Sequence, residues 1–263
     1  MNVLVCLAVI LFILMTWIGG KKGIRSFFAL FFNFAVLLVT VLFMTVPNFN
    51  PIIITVVACV VISCINIFFI NDINTTTTTA FYSSILTIVV LLYFIDLVTS
   101  NAMIQGFAEE ETEELSYFSF YLGVDFMKIA TSVIIMSTIG AITDTAVAIS
   151  SPMREMVNHH PTISRKELFS FGIQIGKDIL GTSTNTLFFA FFGGYMALFF
   201  WFKDLSYTLG EIMNSKIFSA EMITIFCAGI GVALVIPITS IISAHFLVKA
   251  KSKELDALVG KEE

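Results

Sequence analysis

The chain has 263 residues, 57% of them hydrophobic and only 13% charged, with a mean hydropathy of +0.95. Soluble domains of this length are not built that way, so the composition argues against an ordinary globular enzyme and for an all-α membrane protein with several spans. The net charge of −5 forms no basic stripe, which argues against nucleic acid as a partner.

A bilayer needs roughly 20 apolar residues per helix. Seven runs approach that length, at about 2–18, 26–46, 51–70, 79–99, 126–150, 178–202 and 220–247. Together they predict a single integral-membrane domain over residues 1–263, with the lipid bilayer as its surroundings. The N-terminus has neither a basic region nor an Ala-x-Ala site before its first apolar run, so no cleaved signal peptide is expected.

Gly19 to Arg25 is a short loop carrying Lys21, Lys22 and Arg25. Val46 to Pro51 reads as a turn, and the threonine run 75–79 reads as a helix entry and cap. After the fourth span come Glu109, Glu110, Glu111, Glu113 and Glu114, a run that either binds a divalent cation or serves as a solvated connector. Pro152 marks the end of the fifth span or a kink in it. His159 and His160 are adjacent and have no further Cys or His at ligand spacing, so no metal site and no cofactor is expected. Ser164 to Glu167 forms a capping box that opens an amphipathic helix, expected over 164–176 at the membrane interface. Cys6, Cys59, Cys64 and Cys227 all lie in apolar runs and read as free thiols.

Orientation follows from the basic residues. With the N-terminus outside, the inner segments hold Lys21, Lys22, Arg25, Arg154, Arg165, Lys166, Lys249, Lys251, Lys253 and Lys261, whereas the outer loops hold Lys203 and Lys216. The C-terminus is then cytoplasmic.

Two helix faces carry the candidate chemistry. Ser137, Gly140, Ala141, Asp144, Thr145, Ala148 and Ser151 share one face of the fifth span, and all are small or polar. Such a face suits close approach by another helix. Gln174, Asp178, Gly181, Thr182 and Asn185 share a face of the sixth. The expectation is that these faces pack together and bury Asp144 near Lys177, Asp178, Thr182 or Asn185. Lys177 is either the counter-charge or a side chain that snorkels to the interface. Asp144 is either a structural hydrogen-bonding group or a proton carrier, since a carboxylate in apolar surroundings suits reversible proton uptake. No nucleophile elbow, zinc-protease motif or phosphate-binding loop appears, so the chain is not expected to be an enzyme.

Gly140-Ala-Ile-Thr-Asp-Thr-Ala-Val-Ala-Ile-Ser-Ser151 with Glu155, and Ile175-Gly-Lys-Asp-Ile-Leu-Gly-Thr-Ser-Thr-Asn-Thr186 with Gly193-Gly194, resemble the YibE/F family of bacterial multi-span membrane proteins. Lys177 stands where that pattern would have arginine. Gly123, Asp125, Phe126, Gly140, Asp144 and Thr145 more distantly resemble the fourth membrane segment of SecF, the protein-export accessory of the resistance-nodulation-division (RND) superfamily. Thr143 replaces an Asn of that pattern, and Glu155 is shifted by about one residue. The resemblance implies that spans two to seven form a six-helix half of that type. It further implies Asp144 as a residue of proton-driven coupling, with Lys177 as a weaker match. Halves of that kind work in pairs, which implies a second homologous chain (YibE-like) or a homodimer in the bacterial cytoplasmic membrane. The function so implied is a proton-motive-force-coupled transport or export component. A non-transporting scaffold or assembly factor is the reading from a different class.

Overall fold

The computed structural model describes residues 2–46, 49–106 and 125–259, with side chains to residue 251. The acidic run at 109–114 lies outside the described residues. Among the described residues there are eight α-helices: α1 (Val3–Met44), α2 (Pro51–Cys64), α3 (Thr75–Ala102), α4 (Phe126–His159), α5 (Arg165–Gly194), α6 (Met196–Asp204), α7 (Leu209–Asn214) and α8 (Lys216–Val259). Five helices are long and apolar enough to cross a membrane, or six if α5 and α6, bent by 54°, are one span.

Helix α1 is a hairpin. Gly20 breaks it with φ 54° and ψ −133°, a conformation that glycine adopts without a Cβ penalty. In one straight helix Phe12 and Phe27 would stand about 22 Å apart, yet their ring centroids are 4.9 Å apart. A Cβ on Gly23 would run into the Met15 carbonyl oxygen, so the second arm lies directly on the first. The expected loop at 19–25 is thus a turn at Gly20, and residues 21–25 are already helical.

Most of the later helices start at a side-chain cap. Asn50 accepts from the Ile52 amide at 3.1 Å, with Pro51 in the first turn of α2. Helix α2 passes into a π-helical stretch, Ile65–Phe69, which presents Asn66 to Asn33 of α1 at 2.6 Å. The threonine run does open α3, whose capping box is formed by Asn74 and Thr77. Asp125 caps α4, and the Ser164–Glu167 box caps α5. Several helices overrun the apolar runs that marked them. Helix α4 continues through Pro152 to His159, and α8 extends through Pro237 to Val259.

The largest difference from expectation is in α5. No break separates residues 164–176 from the sixth apolar run; Arg165–Gly194 is one helix. Its first apolar face lies on the bundle, with Leu168, Gly172 and Gly176 buried. The bend falls later, after Gly194, where Phe191, Phe199, Phe202 and Phe218 gather in an aromatic cluster.

Helix α8 is central, packed on α3, α4 and α5. Lipid-like surroundings give helices no hydrophobic drive to associate, so small residues and hydroxyls must do it. A Cβ on Gly172 would stand 2.6 Å from the Ser240 hydroxyl and 2.7 Å from the Met153 sulfur, and one on Gly176 would run into Ile236. Helix α3 offers buried Thr76, Thr79, Ser83, Ser84, Thr87 and Thr99. Of these, Thr79 lies 3.4 Å from Ser243 of α8, and Thr99 lies 2.8 Å from Thr131 of α4.

This packing makes a paired prediction. Gly176→Ala overpacks the α5–α8 contact and should cost about 1–3 kcal/mol of stability, whereas Gly181→Ala, with nothing within 4 Å of the added Cβ, should be neutral or slightly stabilising. Thermal melts of the two variants in one detergent check this; equal melts would contradict the close contact.

Candidate functional site

Helix α5 follows α8 along much of its length. Gly172 meets Ser240, Gly176 meets Ile236, and Thr184 lies 3.6 Å from the Cβ position of Gly229. It touches α4 at Met153, then parts from it. At Gly140 of α4 and Gly181 of α5 an added Cβ would meet nothing within 4 Å.

The result is a groove between α4 and α5 of about 440 Å³. Helix α4 lines it with Gly140, Asp144 and Thr145, and α5 with Thr182, Ser183 and Thr186. The two helices therefore face each other at Asp144 as expected, but across an open space. The contact face of α4 is a different one, carrying Ile135, Ile139, Ile142, Ala146, Ile149 and Met153.

Asp144 is exposed in the groove, and among the described residues no hydrogen bond or ion pair engages it. Three of the hydroxyls around it are already committed. Thr145, 3% exposed, donates to the Ala141 carbonyl at 2.8 Å, Thr182 to Ile179 and Thr186 to Thr182, each at 2.8 Å. Those bonds leave the carboxylate as the group in the groove with acid–base capacity.

Other candidates are placed elsewhere. Lys177, Asp178, Gly181 and Asn185 are exposed and do not line the groove. Lys177 precedes Thr182 by five residues, which puts it about 140° around the helix, so it is not the counter-charge of Asp144 in this arrangement. Asp125 sits at the far end of α4, where its carboxylate accepts from the amides of Met127 and Lys128 and lies 3.0 Å from the Lys128 ammonium. The Lys128 contact holds its pKa below the usual carboxylate value. That cap is therefore in place at neutral pH and weakens as acid protonates the carboxylate. Lys128 is also a cation at that end of α4, one that a count of loop residues passes over.

Glu155 lines a second, polar cavity of about 350 Å³ at the opposite end of α4, with Lys22, Asp72, Asn74 and Arg154. In the sequence, Lys22 and Arg154 stand out only as topology markers. Their common cationic loops were the available signal, but nothing in the spacing shows that residues 22, 71–77 and 150–158 converge. Among the described residues no group of three or more His, Cys, Asp or Glu could hold a metal. The four cysteines are free, with Cys59 and Cys227 buried.

The groove predicts a labelling contrast. A cysteine at Thr182 should react with a small methanethiosulfonate reagent in membranes, because Thr182 is exposed in an open groove, whereas one at Ala146, 0% exposed, should not. Equal labelling at both positions would contradict the groove.

No curated protein and no solved structure matches the chain, so the likeness to SecF rests on motif spacing alone. Residues 7–249 do match the YibE/F-like protein family, and with the apolar helices just described, the chain belongs to that family of membrane proteins.

Proposed function

We propose that this chain is a proton-motive-force-coupled transport or export component of a bacterial cytoplasmic membrane, with Asp144 as the proton carrier. The observation that carries the reading is the Asp144 carboxylate, unpartnered among the described residues, in a largely apolar groove midway along a membrane-length helix. A carboxylate at the centre of a span costs about 2.5–3.5 kcal/mol on insertion scales, a cost that a purely architectural helix avoids. Asp144, Ala148, Ser151 and Glu155 follow one stripe of α4, and the stripe runs from the groove to the polar cavity at the other end. Water in the two cavities could carry a proton along it.

The same reading counts seven spans: both arms of the α1 hairpin, α2, α3, α4, the bent α5–α6 pair and α8. The N-terminus is outside and the C-terminus cytoplasmic. The hairpin supports this alternation, because it brings Lys22 to the cavity end shared with Arg154. A second homologous chain, or a second copy, covers this side of the bundle, since the Asp144 groove and the exposed Asp178 and Asn185 have no protein neighbour among the described residues. A scaffold or assembly factor is the competing reading. It predicts that Asp144 and Lys177 substitutions act through protein level alone.

In proteoliposomes, an imposed proton gradient should change the labelling of a cysteine at Thr182 in an otherwise native chain. Asp144→Asn should fold normally and abolish that response. An Asn variant that responds like the native protein would end the proton-carrier reading.

A further inference from the structure

The polar cavity at the Lys/Arg-rich end of the bundle has features that proton carriage does not need. Three segments far apart in sequence build it: the α1 hairpin turn, the start of α3 and the last turns of α4. Lys22 and Arg154 both line it, and among the described residues neither has an ion-pair partner. Asp72 also lines it, but its carboxylate is held by Arg25 at 3.2 Å. The lining itself holds two cations and two carboxylates, and Arg25, outside it, takes up the charge of Asp72.

The N-terminus of the 28-residue helix α3 opens on the same cavity. Its cap satisfies the amides of Thr77 and Thr78 through Asn74, which leaves the amides of Thr75 and Thr76 with no protein acceptor. Thr76 supplies an independent sign of a missing partner. It is 5% exposed, it lines the cavity, and its hydroxyl oxygen has no hydrogen-bond partner. The free amide of Thr76, its unpartnered hydroxyl just beneath the cavity wall and two unpaired cations together form a donor set for a tetrahedral oxyanion.

We propose that this cavity binds a phosphate group, with Lys22 and Arg154 as its charge partners and the start of α3 as its amide cradle. The volume of about 350 Å³ is room for a phosphate carrying a small substituent. Two sources present that chemistry at a membrane surface, the headgroup of an anionic lipid and free phosphate. Glu155 opposes the bound anion, so it weakens the site and gives binding a dependence on its charge. The proposal stands apart from the proton-carrier reading, because none of its donors lies in the Asp144 groove.

The test uses the full chain in phosphatidylcholine nanodiscs at neutral pH, with two probes followed by native mass spectrometry: added phosphatidylglycerol and inorganic phosphate. One of them should bind saturably, and Lys22→Ala with Arg154→Ala should weaken it by about tenfold or more. Saturable phosphatidylglycerol binding without phosphate binding assigns a lipid headgroup; saturable phosphate binding in phosphatidylcholine alone assigns free phosphate. Glu155→Gln should tighten the same probe by roughly threefold, a gain that misfolding cannot mimic. Absence of saturable binding by either probe overturns the proposal. So does binding that the double variant leaves unchanged, or a Gln variant that binds no tighter.

Discussion

The arrangement depends on how α5 attaches. Gly172 and Gly176, one turn apart, bring its backbone against Ser240 and Ile236 of α8. Inside a membrane that closeness is the main source of helix affinity, because lipid tails are as apolar as any leucine. Having committed its small residues to α8, α5 cannot also lie flat on α4. It meets α4 at Met153 and then leaves it. The groove, and the exposure of Asp144 within it, follow from that geometry.

The same constraint explains why hydroxyls dominate the rest of the interior. Thr79 with Ser243 and Thr99 with Thr131 are contacts between helices. Most of these side chains also return a hydrogen bond to their own helix, as Ser83 does to Thr79 and Thr87 to Ser83. Those that do are satisfied wherever they sit, whereas Ser63, Thr76, Ser132, Thr143 and Thr239 have no partner among the described residues; all add little bulk, so helices can approach. Asp144 cannot be satisfied that way, since a carboxylate has no proton to give the preceding turn when ionised. It is the group in the groove whose state changes with its surroundings.

Parts of this were legible before any coordinates. The helix entry at the threonine run 75–79 and the capping box at Ser164 follow from local chemistry, and both begin helices, whereas the cap at Asp125 shows only in the structure. The Gly19-Gly20 pair marked the first turn. The orientation of α4 was not legible, because both of its faces are small or apolar and hydropathy does not separate a lipid-facing stripe from a packed one. The stripe from Ser137 to Ser151 looked like a contact face, yet contact runs through Ile135, Ile142 and Ile149. A usable signal lay in α3, where Thr76, Thr79, Ser83 and Thr87 recur at helical spacing and mark its buried side. The cavity beside Lys22 and Arg154 was the least legible feature, because it joins loops that only the hairpin at Gly20 brings to one end.

The central claim is that Asp144 exchanges a proton with water in the groove. Difference infrared spectroscopy of the chain in lipid, titrated with acid, tests it most directly. The account predicts a protonated-carboxyl band that grows and decays reversibly with pH and is missing in Asp144→Asn. Identical spectra for the native and Asn proteins would contradict it.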